Sequence, residues 1–125
     1  MELNKTRPDI PMAKHSVNMS DEERFQNEIL RPIIKMQHDL LIANYRQILV
    51  QRKTPFHNIT TEERNVIIDN SLKRDVQLKN YLKGMIIGCM TIDEYNQYLT
   101  MASSLNRRIN NIIKQRLIDS HLELI

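Results

Sequence analysis

Apolar residues recur along most of this chain at intervals of three and four. Tyr95, Tyr98, Leu99, Ala102, Leu105, Ile109, Ile112, Ile113 and Leu117 fall within roughly 160° of arc when wound at 100° per residue. Arg107, Asn111, Lys114 and Gln115 lie opposite, so the spacing predicts a helix docked on a core, from Ile92 to about Leu122. A second stripe, Ile67, Ile68, Leu72, Val76, Leu78, Leu82 and Ile86, leads to Gly88. A third helix, from Pro32 to about Arg52, differs: Leu40, Leu41, Ile42, Ile48, Leu49 and Val50 project all round its axis. No run alternates apolar and polar residues long enough to predict a strand. The fold class read from this pattern is all-α: an up-down bundle of three long helices, the first kinked or split at Pro32.

Local signals mark the ends. Gly88 can adopt the left-handed conformation that closes a helix. Thr91 with Glu94 three residues on forms a capping box, and Met90 and Tyr95 stand where a hydrophobic staple would fall. Ser20 with Glu23, and Thr60 with Glu63, repeat the capping pattern. Pro32 has no N–H and crowds the preceding turn. Either a short helix from Ser20 ends at Arg31 or one helix bends there. Gly84, inside a helix, costs about 1 kcal/mol relative to alanine; it marks either a close backbone approach or a neutral position. Lys53–Ile59 reads as a loop, and the helix after Thr60 has a potential interruption near Lys73. Residues 1–19 carry Pro8 and Pro11 with no period and read as a flexible tail ahead of one helical domain, 20–125; Met12, Val17 and Met19 would be its docking groups if it binds a partner.

Two features stand out in the core pattern. A helix apolar on all sides needs cover on more than one side. It is either the centre of the bundle or the contact face of a homo-oligomer, most simply a two-fold dimer, with Leu41, Ile42 and Leu49 as the face. Asp75 and Lys79, four apart with the acid first, fall inside the second stripe, and Arg116 falls inside the last. Polar groups in a core are costly unless paired. They therefore form a buried cluster, Asp75 with Lys79 or Arg116, unless the helix breaks near Leu72–Lys73 and turns Asp75 to water.

Composition narrows the classes. The 125 residues suit one small domain; 41% are hydrophobic and 26% charged, with two glycines and four prolines, a globular rather than disordered balance. The net charge of +3 is spread evenly, with no basic arm, which argues against a dedicated nucleic-acid protein. One cysteine fits a reducing compartment, hence the cytoplasm, and no apolar run approaches a membrane span.

Catalytic patterns fail in turn. No acid stands three residues before any histidine, so the Glu-x-x-His of di-iron bundles is absent. Cys89 precedes a helix N-terminus, which lowers a thiol pKa, but no histidine is near in sequence and a small apolar filler is the better reading. No glycine loop cradles phosphate. Gly88-Cys89-Met90-Thr91 has the form of a helix-turn-helix corner, yet a helix starting there presents Asp93 and Glu94 to the phosphates first. RNA contact through Lys83, Arg107, Arg108 or Lys114 lacks aromatic stacking partners. The residues therefore assign no catalytic, cofactor-binding or metal site.

Two runs, Glu22-Glu23-Arg24-Phe25-Gln26-Asn27 with Leu30-Arg31-Pro32-Ile33-Ile34-Lys35, and Leu82-Lys83-Gly84-Met85-Ile86-Ile87-Gly88 with Thr91 and Glu94-Tyr95, carry a resemblance. They are similar to a family of short, helical, uncharacterised bacterial proteins, some labelled "glyoxalase". The resemblance implies a helical fold. Known glyoxalase architectures need strand-rich metal modules, a T-H-x-H-x-D-H run, or a cysteine on a strand-to-helix turn, none of which these residues provide. The reading is a non-catalytic, self-associating interaction protein, with a glyoxalase-like lyase acting on a small aldehyde, or an RNA- or ribosome-associated protein, as alternatives.

Overall fold

Capping decides where the first helix begins. In the computed structural model, which describes Arg7 and residues 19–125, the Ser20 hydroxyl accepts from the Glu23 N–H at 3.2 Å and opens α1, Asp21–Phe25. The tail expected over residues 1–19 lies almost wholly outside the described residues. The chain neither ends nor breaks at Pro32. A π turn, Gln26–Leu30, joins α1 to α2, Arg31–Met36, and Leu30 and Arg31 keep right-handed helical dihedrals throughout. The reason is local. Pro32 has no N–H and its ring presses on the carbonyl four residues back. Widening the preceding turn, so that the Arg31 N–H reaches Gln26 O, accommodates the ring without ending the helix. The break falls instead at Gln37, φ −89° and ψ 6°, before α3, His38–Gln51.

The two other long helices are divided as well. α4, Thr61–Arg74, starts in the expected capping box of Thr60 and Glu63. It stops at Asp75, whose extended backbone, φ −91° and ψ 94°, separates it from α5, Val76–Ile87. After the Thr91–Glu94 capping box come α6, Ile92–Thr100, and α7, Ala102–Asp119, parted at Met101 with φ −132° and ψ 23°. The Thr100 hydroxyl bonds back to Gln97 O at 2.7 Å, local competition that weakens a helix end. A short 3-10 turn, His121–Leu124, closes the chain. Among the described residues there is no strand.

The left-handed residue is not where glycine predicted it. Gly88 is right-handed, φ −61° and ψ −15°, and α5 ends by tightened bonds, Cys89 N–H to Ile86 O at 3.1 Å and Met90 N–H to Ile87 O at 3.0 Å. A Cβ at Gly88 would stand 3.1 Å from Gly84 O, whereas one at Gly84 would meet nothing; no backbone approaches there. Lys53 takes the positive φ, 52°, after α3. Its N–H reaches Val50 O and the Thr54 N–H reaches Leu49 O at 2.9 Å, a Schellman closure.

One buried cluster draws on every limb. It includes Leu30, Ile33 and Ile34, then Leu41 and Tyr45, then Ile68, Leu72, Leu82 and Ile86, and along α7 Leu105, Ile109, Ile113 and Leu117. The three- and four-residue spacing within each helix is the sequence stripe realised. Tyr45 is fully buried; its hydroxyl meets Ser71 Oγ at 2.8 Å, and Ser71 in turn donates to Ile67 O. Burial raises the Tyr45 pKa, opposed in part by that hydrogen bond.

Candidate functional site

The corner between α5 and α6 is built as its sequence requires. Thr91 Oγ1 accepts from the Glu94 N–H at 3.1 Å, and the Thr91 N–H donates to Glu94 Oε1 at 2.8 Å. The tail adds a partner that no local pattern announced. Arg7 grips both Glu94 oxygens, at 2.6 and 2.7 Å, and also donates to the Cys89 carbonyl. The Arg7 hydrogen bond, helped by the Thr91 N–H, holds the Glu94 carboxyl below the usual carboxylate range. Cys89 is a free, half-buried thiol with Gln37 Nε2 at 3.4 Å and Met85 O at 3.5 Å. The described histidines with side-chain bonds serve elsewhere: His38 meets Glu123 at 3.0 Å and Arg116 at 3.2 Å, and His121 meets Arg64 at 3.3 Å. The thiol therefore has no base within hydrogen-bond reach among these groups.

The expected cluster of Asp75, Lys79 and Arg116 is dispersed. Because the helix breaks at Asp75, its carboxylate caps α5, accepting from the Leu78 N–H at 3.0 Å, and pairs with Arg52 from the end of α3. The Leu78 N–H first, and Arg52 next, lower its pKa. Lys79 lines a groove between α5 and α7. Arg116 lies against His38, with its Nε enclosed and without a partner among the described residues. The geometry requires His38 Nδ1 to accept from Arg116, leaving Nε2–H to donate to Glu123.

Leu41, Ile42 and Leu49 do not form an outward face. All three are buried within the chain itself, because α4, α5 and the closing turn cover α3. Tyr45 reaches Ser71 on α4, Asn44 reaches Tyr81 on α5 at 3.3 Å, and His38 reaches Glu123 on the turn. α3 therefore buries one face, with Leu41, Ile42, Tyr45 and Leu49, and exposes the other, which carries Leu40 and Val50. Exposed apolar side chains occur singly on several helices, among them Val50 on α3, Val66 on α4 and Val76 on α5, and on α6 three of them share a face. Ile92 is 75% and Leu99 52% exposed, with Tyr95 beside them. These positions, i, i+3 and i+7, share one helical face. Tyr95 stacks on buried Tyr98 with ring centroids 6.0 Å apart, and Tyr98 donates to Asn106 on α7.

Sequence reasoning also missed Arg64, which is buried. Its Nε donates to Phe56 O and its Nη2 to His57 O, each at 2.8 Å, and its guanidinium lies 5.4 Å from the Phe56 ring centre. The signal was present: Arg64 precedes Ile68 and Leu72 by four and eight residues, in line with the core stripe.

The chain matches no family model, no curated protein and no solved structure. Among the described residues, no three of His, Cys, Asp and Glu converge as metal ligands, and no helix is long and apolar enough to cross a membrane.

Proposed function

We propose that this chain is a non-catalytic helical interaction protein of the reducing cytoplasm that self-associates through the outward face of α6. Its frame is a bundle of three limbs, each broken once. The observation that carries the reading is the exposed row Ile92, Tyr95 and Leu99. A face that pairs with its own copy across a two-fold axis meets itself, so charge on it would repel; this row, with Asn96 beside it, has none. Burying an apolar side chain contributes about 1.5–3 kcal/mol. Because these side chains are already partly covered in one chain, six of them across the axis give roughly 5–10 kcal/mol gross, against an association cost of about 4–15 kcal/mol. The dimer is therefore weak and concentration-dependent.

Light scattering tests it. The mass should rise from the 14.9 kDa of one chain toward twice that value between roughly micromolar and millimolar concentration. Leu99→Glu, which keeps α6 helical, should hold it at the lower value. A wild-type mass fixed at one chain throughout, or a Leu99→Glu variant that associates as readily, refutes the reading. The glyoxalase-like alternative would need a base beside Cys89; consumption of methylglyoxal by the purified protein would reinstate it.

A further inference from the structure

We infer that the groove between α5 and α7 is a binding site for a small phosphate monoester. Two helical faces build it. Val76, Lys79, Asn80 and Lys83 come from α5, and Asn106, Ile109, Asn110 and Ile113 from α7. Each set stands at i, i+3, i+4 and i+7, so each is one face of its helix. Arg107, next to Asn106, completes the rim. The cavity measures about 240 Å³. A water takes up about 30 Å³ in the liquid, so there is room for roughly eight of them. That is enough for a phosphoryl group on a short polyol and too little for a nucleotide.

Charge decides the class of ligand. Lys79, Lys83 and Arg107 line the groove and no carboxylate does. None of the three makes an ion pair among the described residues. Lys79 and Lys83 are half-buried and one helical turn apart, where like charges repel. Asp75, the acid at the head of α5, is held by the Leu78 N–H and by Arg52 instead. The fold thus gathers three cations around one cavity with no anion of its own, and such a cleft concentrates anions. A phosphate monoester brings a charge of about −1.5 to −2 at neutral pH and three strong acceptor oxygens. A carboxylate brings a single charge and leaves the other cations unmatched. In the larger groove on the opposite flank of α7, Arg108 is tied to Gln26 and Arg116 to His38, and Asp119 adds a carboxylate.

The amides point to what the phosphate is attached to. Asn106 Oδ1 accepts from the Tyr98 hydroxyl, which leaves its Nδ2 to donate. Asn110 Nδ2 donates to Leu72 O at 3.3 Å, which leaves its Oδ1 to accept. A hydroxyl serves both, since it donates and accepts. The carbon chain then lies against Ile109 and Ile113. No aromatic ring lines the groove, so a nucleobase has nothing to stack on.

Isothermal titration calorimetry of the full chain with glycerol 3-phosphate tests the site. Binding should saturate at one equivalent with a dissociation constant of about 10 µM to 1 mM. Lys83→Met keeps the helix and the apolar stem, and should weaken binding by at least about tenfold. Without ligand its melting temperature should stay level or rise, because the repulsion from Lys79 is gone. Arg107→Met, at an exposed position, should weaken binding by a similar factor. Arg46→Met, the same charge change at an exposed position of α3, should leave it within about twofold. No saturable binding below about 10 mM, or equal loss in the Lys83 and Arg46 variants, would overturn the assignment. Inorganic sulfate bound as tightly would show an adventitious ion only, and tighter binding of a nucleoside monophosphate would refute the ligand class.

Discussion

Arg64 should be the most sensitive polar position in the molecule. Its guanidinium serves two main-chain carbonyls in the loop before α4, both at 2.8 Å, and covers the Phe56 ring. Hydrogen bonds from a charged donor contribute about 1.5–3 kcal/mol each. Arg64→Met keeps most of the apolar stem but removes every donor, so the buried Phe56 carbonyl loses its partner while the His57 carbonyl regains water. The expected cost is about 3–4 kcal/mol, a large part of the roughly 5–15 kcal/mol that holds a small domain together. For a chain of this size that corresponds to a melting temperature lower by roughly 10–15 °C. Arg64→Lys keeps the charge but presents a point donor that serves one carbonyl, so it should recover about half. Thermal and urea unfolding followed by circular dichroism measure both variants. If Arg64→Met melts within about 3 °C of wild type, the loop is not held by this residue and the account of it is wrong.

Two further predictions concern the helix ends. Lys53 occupies a left-handed conformation that costs a side-chain-bearing residue about 1 kcal/mol, so Lys53→Gly should raise stability by about 0.5–1 kcal/mol in urea titrations, and a loss would mean that the Lys53 side chain contributes more than its strain. Asp75, Glu94 and Glu123 all have folded pKa values below the ordinary carboxylate range, led respectively by the Leu78 N–H, Arg7 and His38. Their contribution is complete above the unfolded value of about 4 and is lost as the pH falls through the lower folded values. Asp75→Asn keeps the cap but not the Arg52 pair, so its melting temperature should fall less steeply below about pH 4 than that of wild type; parallel curves would remove Asp75 from the account.

The helical class, the buried stripes and the capping residues were legible because each depends on neighbours three or four positions away. Thr60, Thr91 and Ser20 all cap as their spacing required. The breaks were legible only in part: the interruption expected near Lys73 falls at Asp75, but its cause was hidden. Asp75 ends α4 because its carboxylate finds Leu78 and Arg52, and the second of these partners is 23 residues away in sequence. Met101 has no breaker signal of its own; Thr100 bonding back to Gln97 is visible only in the fold. Pro32, the strongest breaker in the helical region, was absorbed by a wider turn one step earlier. Leu41, Ile42 and Leu49 illustrate a further limit: periodicity shows that a helix is apolar all round, but not whether its own chain or a second copy covers it.

The break at Met101 also explains why the exposed apolar row is confined to α6. In a continuous helix from Ile92 to Leu122, Leu99 would share the arc of Leu105 and Ile109 and be buried with them. With the helix turned at Met101, Tyr98 stays in the core and Leu99 faces outward beside Ile92. Beyond the turn, α7 keeps Leu105, Ile109, Ile113 and Leu117 in the core. Leu99→Glu should therefore abolish the concentration-dependent mass without lowering the melting temperature, since Leu99 is 52% exposed. A variant that lost both would show that Leu99 contributes to the core, and the turn at Met101 would then not be what exposes it.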